Sequence, residues 1–239
     1  MKHLLAIAAI FCLAGSVQAA EPRAEIWDIP LGTPVGEITA DFVDLACGSN
    51  GGPPSRRLAS FVDFATCRPE KSGLHEVYFR YDDEQEYIAR SLEQRRDVLR
   101  FGGTVVFGFP VVASLLIDDD GLVQGRRVIT DPRPGNQTSR PRYEFWTLGN
   151  LLRNHFGSGW ACSNGEPAAG ENPVGTYFVK SDCSLESEAG RFSVGQHYLQ
   201  KRGQSFIDPV TTRFQPDAFD SMTRFEQLAP GFETVVSPG

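Results

Sequence analysis

The chain has 239 residues, a net charge of −7, 41% hydrophobic residues and 17 Phe. That is enough apolar material for a proper core, and the length suits two small domains or one elongated one. The acidic balance argues against general nucleic-acid binding, which needs a basic footprint, and against electrostatic docking on anionic membranes.

The opening stretch MKHLLAIAAIFCLAGSVQA places Lys2 before an apolar run from Leu4 to Ala14 and closes on a small-x-small site, Val17-Gln18-Ala19. This layout predicts a secretory signal peptide over residues 1–19, cleaved near Ala19, with an apolar run too short to span a bilayer. Cys12 leaves with it. The remainder holds Cys47, Cys67, Cys162 and Cys183, an even number that predicts two disulfides in an exported chain. No later segment approaches a membrane span, so the expectation is a soluble periplasmic or secreted protein with no stable membrane insertion.

Residues 61–81 read as strand, turn, strand. In the second strand Val77, Phe79 and Tyr81 point one way, and Glu76, Tyr78 and Arg80 the other. Asp82-Asp83-Glu84-Gln85-Glu86 then caps a predicted helix running to about Arg100, where Gly102-Gly103 stops it. Thr104–Phe109, Val111–Ile117 and Leu122–Thr130 read as strands, with Asp119-Asp120-Gly121 as a hairpin turn. Residues 131–141 carry three prolines and no periodicity and form the expected linker. Glu144–Phe156 reads as a helix ended by Gly157, with Phe145, Leu148, Leu151, Leu152 and Phe156 on one face. Thr176–Lys180, Arg191–Gln200 and Phe219–Leu228 complete the strands.

"CGSNGGPP" at Cys47–Pro54 and "CSNGEP" at Cys162–Pro167 are nearly one phrase written twice. A second cysteine follows each after a β-like run, and Glu25-Ile26-Trp27 and Glu144-Phe145-Trp146 precede them. We read this as a diverged internal duplication, although turn chemistry alone favours such residues. Four cysteines allow three connectivities. The modular reading favours Cys47–Cys67 and Cys162–Cys183, each closing a loop of about twenty residues and contributing about 3 kcal/mol in the chain-entropy model.

The fold class expected is therefore α+β: two related helix-plus-antiparallel-sheet modules with one disulfide each, over residues 20–130 and 142–239. The layout resembles that of the tandem-module β-lactamase inhibitor proteins, exported chains of two disulfide-stapled halves. No motif is shared, so no site residue is carried over.

Few residues assemble into recognisable chemistry. Asp118, Asp119 and Asp120, with Asp82 and Asp83, form the oxygen-rich clusters a calcium-type cation requires. The EF-hand pattern fails, because the first and twelfth loop positions fall on Leu116 and Arg127. His75, His155 and His197 lack metal-ligand spacing. Asp182-Cys183-Ser184 resembles the nucleophile segment of the NlpC/P60 peptidases, but His197 follows too soon, on a strand. No nucleophile elbow or phosphate loop is present, and no cofactor is expected. Arg126, Arg127, Arg133, Arg140 and Arg142 make a local positive patch. With Tyr78 and Arg80, Arg126 and Arg127 are the candidate binding surface. The functional expectation is a non-enzymatic exported module that binds a protein or an anionic ligand in the cell envelope. The alternatives are a calcium-type binder or a hydrolase with an unfamiliar site.

Overall fold

The computed structural model describes residues 25–38, 42–81, 91–94, 104–107, 109–130, 141–201 and 220–233. The residues read as a signal peptide, those read as a linker except Pro141, and nearly all of the helix expected after Tyr81 lie outside them.

Among the described residues, ten strands and one long helix follow in chain order. They are β1 (Phe42–Cys47), β2 (His75–Tyr81), β3 (Val105–Val106), β4 (Phe109–Ile117), β5 (Val123–Thr130), α1 (Pro141–Phe156), β6 (Ala161–Asn164), β7 (Glu171–Asn172), β8 (Val179–Ser187), β9 (Gly190–Lys201) and β10 (Asp220–Leu228). All strand pairs are antiparallel, and the main sheet runs β1-β2-β4-β5-β10-β9-β8-β6. Each half of the chain supplies a meander, and the halves meet where Gly125–Ile129 of β5 pairs with Arg224–Leu228 of β10.

This overturns the α+β expectation. Strands make up 46% of the structure, and a single helix of seven or more residues occurs among those described. The two halves share one predominantly antiparallel sheet, because the last strand of each half finds its partner in the other. The resemblance of layout to the tandem-module inhibitors falls with it.

α1 lies across β9 and β10 on one face of the sheet. Leu148 and Leu152, one turn apart, are fully buried there, and Phe156 packs against the same cluster. Gly149 lets the helix come close, since a Cβ there would stand 2.3 Å from the Gln196 amide nitrogen of β9. Beneath α1, Phe156 stacks on Phe225 at 4.9 Å, and Trp27 meets both edge-on. Trp27 comes from a short 3-10 turn, Ile26–Asp28, so the segment after the expected signal peptide closes this core.

The structure departs from the local readings at four segments. Phe61–Thr66, read as a strand, forms a 3-10 helix, because the Asp63 carboxylate accepts the backbone N–H groups of Ala59 and Ser60 and caps it. Phe107 adopts φ 50, which interrupts the strand expected over Thr104–Phe109. Ser163-Asn164, read as a turn, lies in β6, and the strand placed at Thr176–Lys180 is β8, which runs on through Cys183. The predicted hairpin at Asp119-Asp120-Gly121 is present between β4 and β5, with Gly121 at φ 78.

Both disulfides form with the favoured pairing, Cys47–Cys67 and Cys162–Cys183. Two disulfides suit an oxidising, extracellular setting. No helix among the described residues is long and apolar enough to cross a membrane.

Candidate functional site

On the sheet face away from α1 the centre is charged. Arg127 of β5 is 1% exposed and meets three carboxylates. Its guanidinium donates to both oxygens of Glu70 at 2.8 and 2.9 Å, to Glu226 of β10 at 2.7 Å, and approaches Glu76 of β2 at 3.0 Å. Arg224 donates to Glu226 at 3.1 Å. Burial works against the Arg127 charge. The hydrogen-bonded Glu70, with Glu76 and Glu226, outweighs it and holds the pKa above the usual arginine range. Arg224 is pushed down, by burial first and by neighbouring Arg127 second.

The first copy of the repeated phrase closes this network. The Asn50 N–H donates to Glu76 at 2.6 Å, and its side-chain oxygen accepts from Arg224. Gly48 donates to the Glu76 carbonyl at 2.9 Å, where any Cβ would stand 2.3 Å from the Glu76 side chain. Asn50 at φ 56 and Gly51 at φ 93 make the reversal. Phrase and disulfide together hold a lid on buried charge, which is a structural role.

The four residues named as a candidate surface are not exposed. Tyr78 is 5% exposed, Arg126 7% and Arg127 1%, and Arg80 is half-buried. Alternation along β5 sends the two arginines to opposite faces, and both faces are covered. Arg126 points under α1 at the Trp27 ring, 5.6 Å away, with Nη1 donating to the Ile26 carbonyl at 3.4 Å. Its Nε has no hydrogen-bond partner among the described residues. Burial lowers its pKa to about 10, with Asp28 offsetting part of the effect. Arg133 and Arg140 lie outside the described residues, as does the Arg142 side chain.

The acidic cluster is occupied by local bonds. Asp118 accepts the Leu122 N–H at 2.9 Å and the Gln124 amide at 2.6 Å, and Asp119 pairs with His75 Nε2 at 3.0 Å. His75 Nδ1 also meets the Cys67 carbonyl at 2.6 Å, so this histidine ties the first disulfide to the hairpin. No group of three or more potential ligands occurs among the described residues, and Asp82 and Asp83 lie outside them. Cys183 is in a disulfide, as expected for a residue that is no peptidase nucleophile.

One end of the sheet is accessible. Its two edges differ. On β1 the chain's own segment 55–58 covers the edge: Ser55 and Leu58 donate to the Cys47 and Leu45 carbonyls, and Cys47 donates to Arg56. On β6 all four residues are exposed, and among the described residues only β8 pairs with it. Gly165 donates to the Lys180 carbonyl at 2.6 Å, which fixes the alternation. Ser163↔Asp182 and Ala161↔Ser184 are the bonded pairs, so the backbone groups of Cys162 and Asn164 point outward.

Beside this edge the C-terminus of α1 opens a cleft of about 430 Å³, lined by Asn150, Arg153, Asn154 and the segment from Gly157 to Trp160. Gly157 at φ 108 ends the helix, and the Trp160 indole N–H donates to the Arg153 carbonyl at 3.0 Å, capping it. Sequence reasoning placed His155 and Gly157 at this helix end and read no site there. Its available signal was Arg153 and His155 in the last helical turn, followed by Gly157-Ser158-Gly159-Trp160.

Comparison of the chain with protein-family models, with curated proteins and with solved structures finds no match.

Proposed function

We propose that the protein is an exported, non-enzymatic binding module, released into the periplasm or beyond by cleavage near Ala19, whose partner adds an extended strand to β6. The observation that carries this is the asymmetry of the sheet: β1 is covered by residues 55–58, whereas β6 is exposed along its length. Natural sheets cover or blunt their edges, and an edge left open is a template for strand addition. The partner's backbone would bond to Cys162 and Asn164, and a side chain would enter the cleft beside Arg153 and Trp160. The partner class is thus an extended protein segment; the anionic small-ligand version would need Arg126 and Arg127 exposed, and both are buried.

The calcium-type alternative would need Asp118 and Asp119 free to coordinate, and their oxygens hold the hairpin and His75 instead.

Phage-displayed extended peptides, selected on the oxidised protein, test the proposal. Binders should lose at least tenfold in affinity on Asn164→Pro, which removes an outward N–H and leaves the β6–β8 bonds intact. Binders indifferent to Asn164→Pro and to substitutions in the cleft would refute strand addition.

A further inference from the structure

The two disulfides have opposite surroundings. Cys47 and Cys67 are 4% and 3% exposed and sit in the core cluster. In the second bond Cys183 is 3% exposed, but Cys162 lies on the exposed edge strand. The two face each other directly across β6 and β8, in the register position that makes no backbone bonds.

Arg153 leans over this bond. Its Nη1 donates to Cys183 Sγ at 3.1 Å and reaches Cys162 Sγ at 3.5 Å, while Nη2 donates to Asn150. The same arginine lines the open cleft, and the exposed Cys162 lies within reach of its guanidinium. Thiol–disulfide exchange needs an accessible sulfur to attack and a leaving thiolate that is stabilised, and a cation beside the leaving sulfur provides the second. These features coincide at Cys162–Cys183, and both cysteines of the other bond are buried.

We propose that Cys162–Cys183 is a thiol–disulfide exchange site, attacked at Cys162 by an external thiolate. The thiolate gives its electron pair to Cys162 Sγ, the sulfur–sulfur bond breaks, and Cys183 Sγ leaves as a thiolate held by the Arg153 guanidinium. A mixed disulfide stands at Cys162. A second external thiolate attacks its outer sulfur, releasing Cys162. In sum, two external thiols become one disulfide, and their protons finish on Cys162 and Cys183. This is independent of strand addition, since it concerns the covalent tie beneath β6.

The test is native exchange with glutathione, quenched by alkylation and read by peptide mass spectrometry at each cysteine. Cys162–Cys183 should open at least tenfold faster than Cys47–Cys67, with the glutathione adduct on Cys162. Arg153→Met should slow opening roughly tenfold and leave the Cys47–Cys67 rate unchanged, and Arg153→Lys should restore most of the rate. Equal rates for the two bonds in the unaltered protein, an adduct on Cys183, or an unchanged rate in Arg153→Met would overturn the proposal. The first two readouts need no variant, so a misfolded Arg153→Met leaves the test intact. Loss of peptide binding in Asn164→Pro with normal exchange would separate this site from the strand-addition reading.

Discussion

Arg126 and Arg127 are adjacent in sequence and carry the same charge, yet the structure assigns them opposite energetic signs. Arg127→Met removes the counter-charge of Glu76 and Glu226, which are 4% and 2% exposed. Breaking a buried ion network from one side leaves uncompensated charge and costs about 3–5 kcal/mol. For a chain of this size that lowers Tm by roughly 10–15 °C. Arg126 is buried with no carboxylate in hydrogen-bond contact among the described residues, and its pKa has fallen to about 10. Each tenfold change in proton affinity is about 1.4 kcal/mol, so its burial strains the fold by about 3 kcal/mol. Stacking on Trp27 returns about 1 kcal/mol of that. Arg126→Met keeps the aliphatic stem and should therefore leave stability unchanged or raise it by up to about 2 kcal/mol. Urea unfolding at pH 7, followed by tryptophan fluorescence with both disulfides intact, measures both variants. A loss of similar size in each, or a larger loss in Arg126→Met, would refute the assignment of the two side chains to differently charged faces.

Further outcomes follow from the same geometry. Above pH 10 the folded chain releases the Arg126 proton while the unfolded chain still holds it, so this group's contribution to stability rises with pH. The advantage of Arg126→Met over the unaltered protein should accordingly shrink between pH 9 and pH 11.5, and a constant difference across that range would contradict the burial of a charged Arg126. Gly190→Ala should destabilise by about 2 kcal/mol or more, because φ is 116 and the Cβ would stand 2.1 Å from the Leu228 carbonyl oxygen; a neutral result by thermal melting would argue against the β9–β10 register. Leu152→Ala, at a fully buried position on the sheet-facing side of α1, should cost about 2–4 kcal/mol, checked by the same urea titration.

Local features were legible in the sequence because their causes are local. Asp119-Asp120-Gly121 needs only a positive φ, and the helix before Gly157 shows in the spacing of Leu148 and Leu152. The disulfide pairing was favoured by the modular reading, one staple per half, and it holds although the halves share one sheet. The shared sheet was not legible. A period-two pattern identifies β5 and β10 as strands but does not say that they pair, and the 46% strand content only becomes one layer through that pairing. The arginines misled for a related reason. Charge beside a linker reads as solvated, whereas Arg127 depends on Glu70, Glu76 and Glu226, scattered over more than 150 residues. The one local signal was Glu76, placed directly before the apolar run Val77-Tyr78-Phe79, where a carboxylate calls for a buried cation. The β6 edge was missed because Ser163-Asn164-Gly165 has turn composition, and only its neighbour β8 makes it a strand.

Residue-resolved amide hydrogen exchange along β6 tests the central claim most directly. In the free protein the Cys162 and Asn164 amides should exchange freely, while Ser163 and Gly165 are protected by their bonds to β8. A saturating selected peptide should protect Cys162 and Asn164 and leave the other two as they were. Slow exchange at Cys162 and Asn164 in the free protein would mean that the edge is already covered, and a bound peptide that leaves them unprotected would place its site elsewhere.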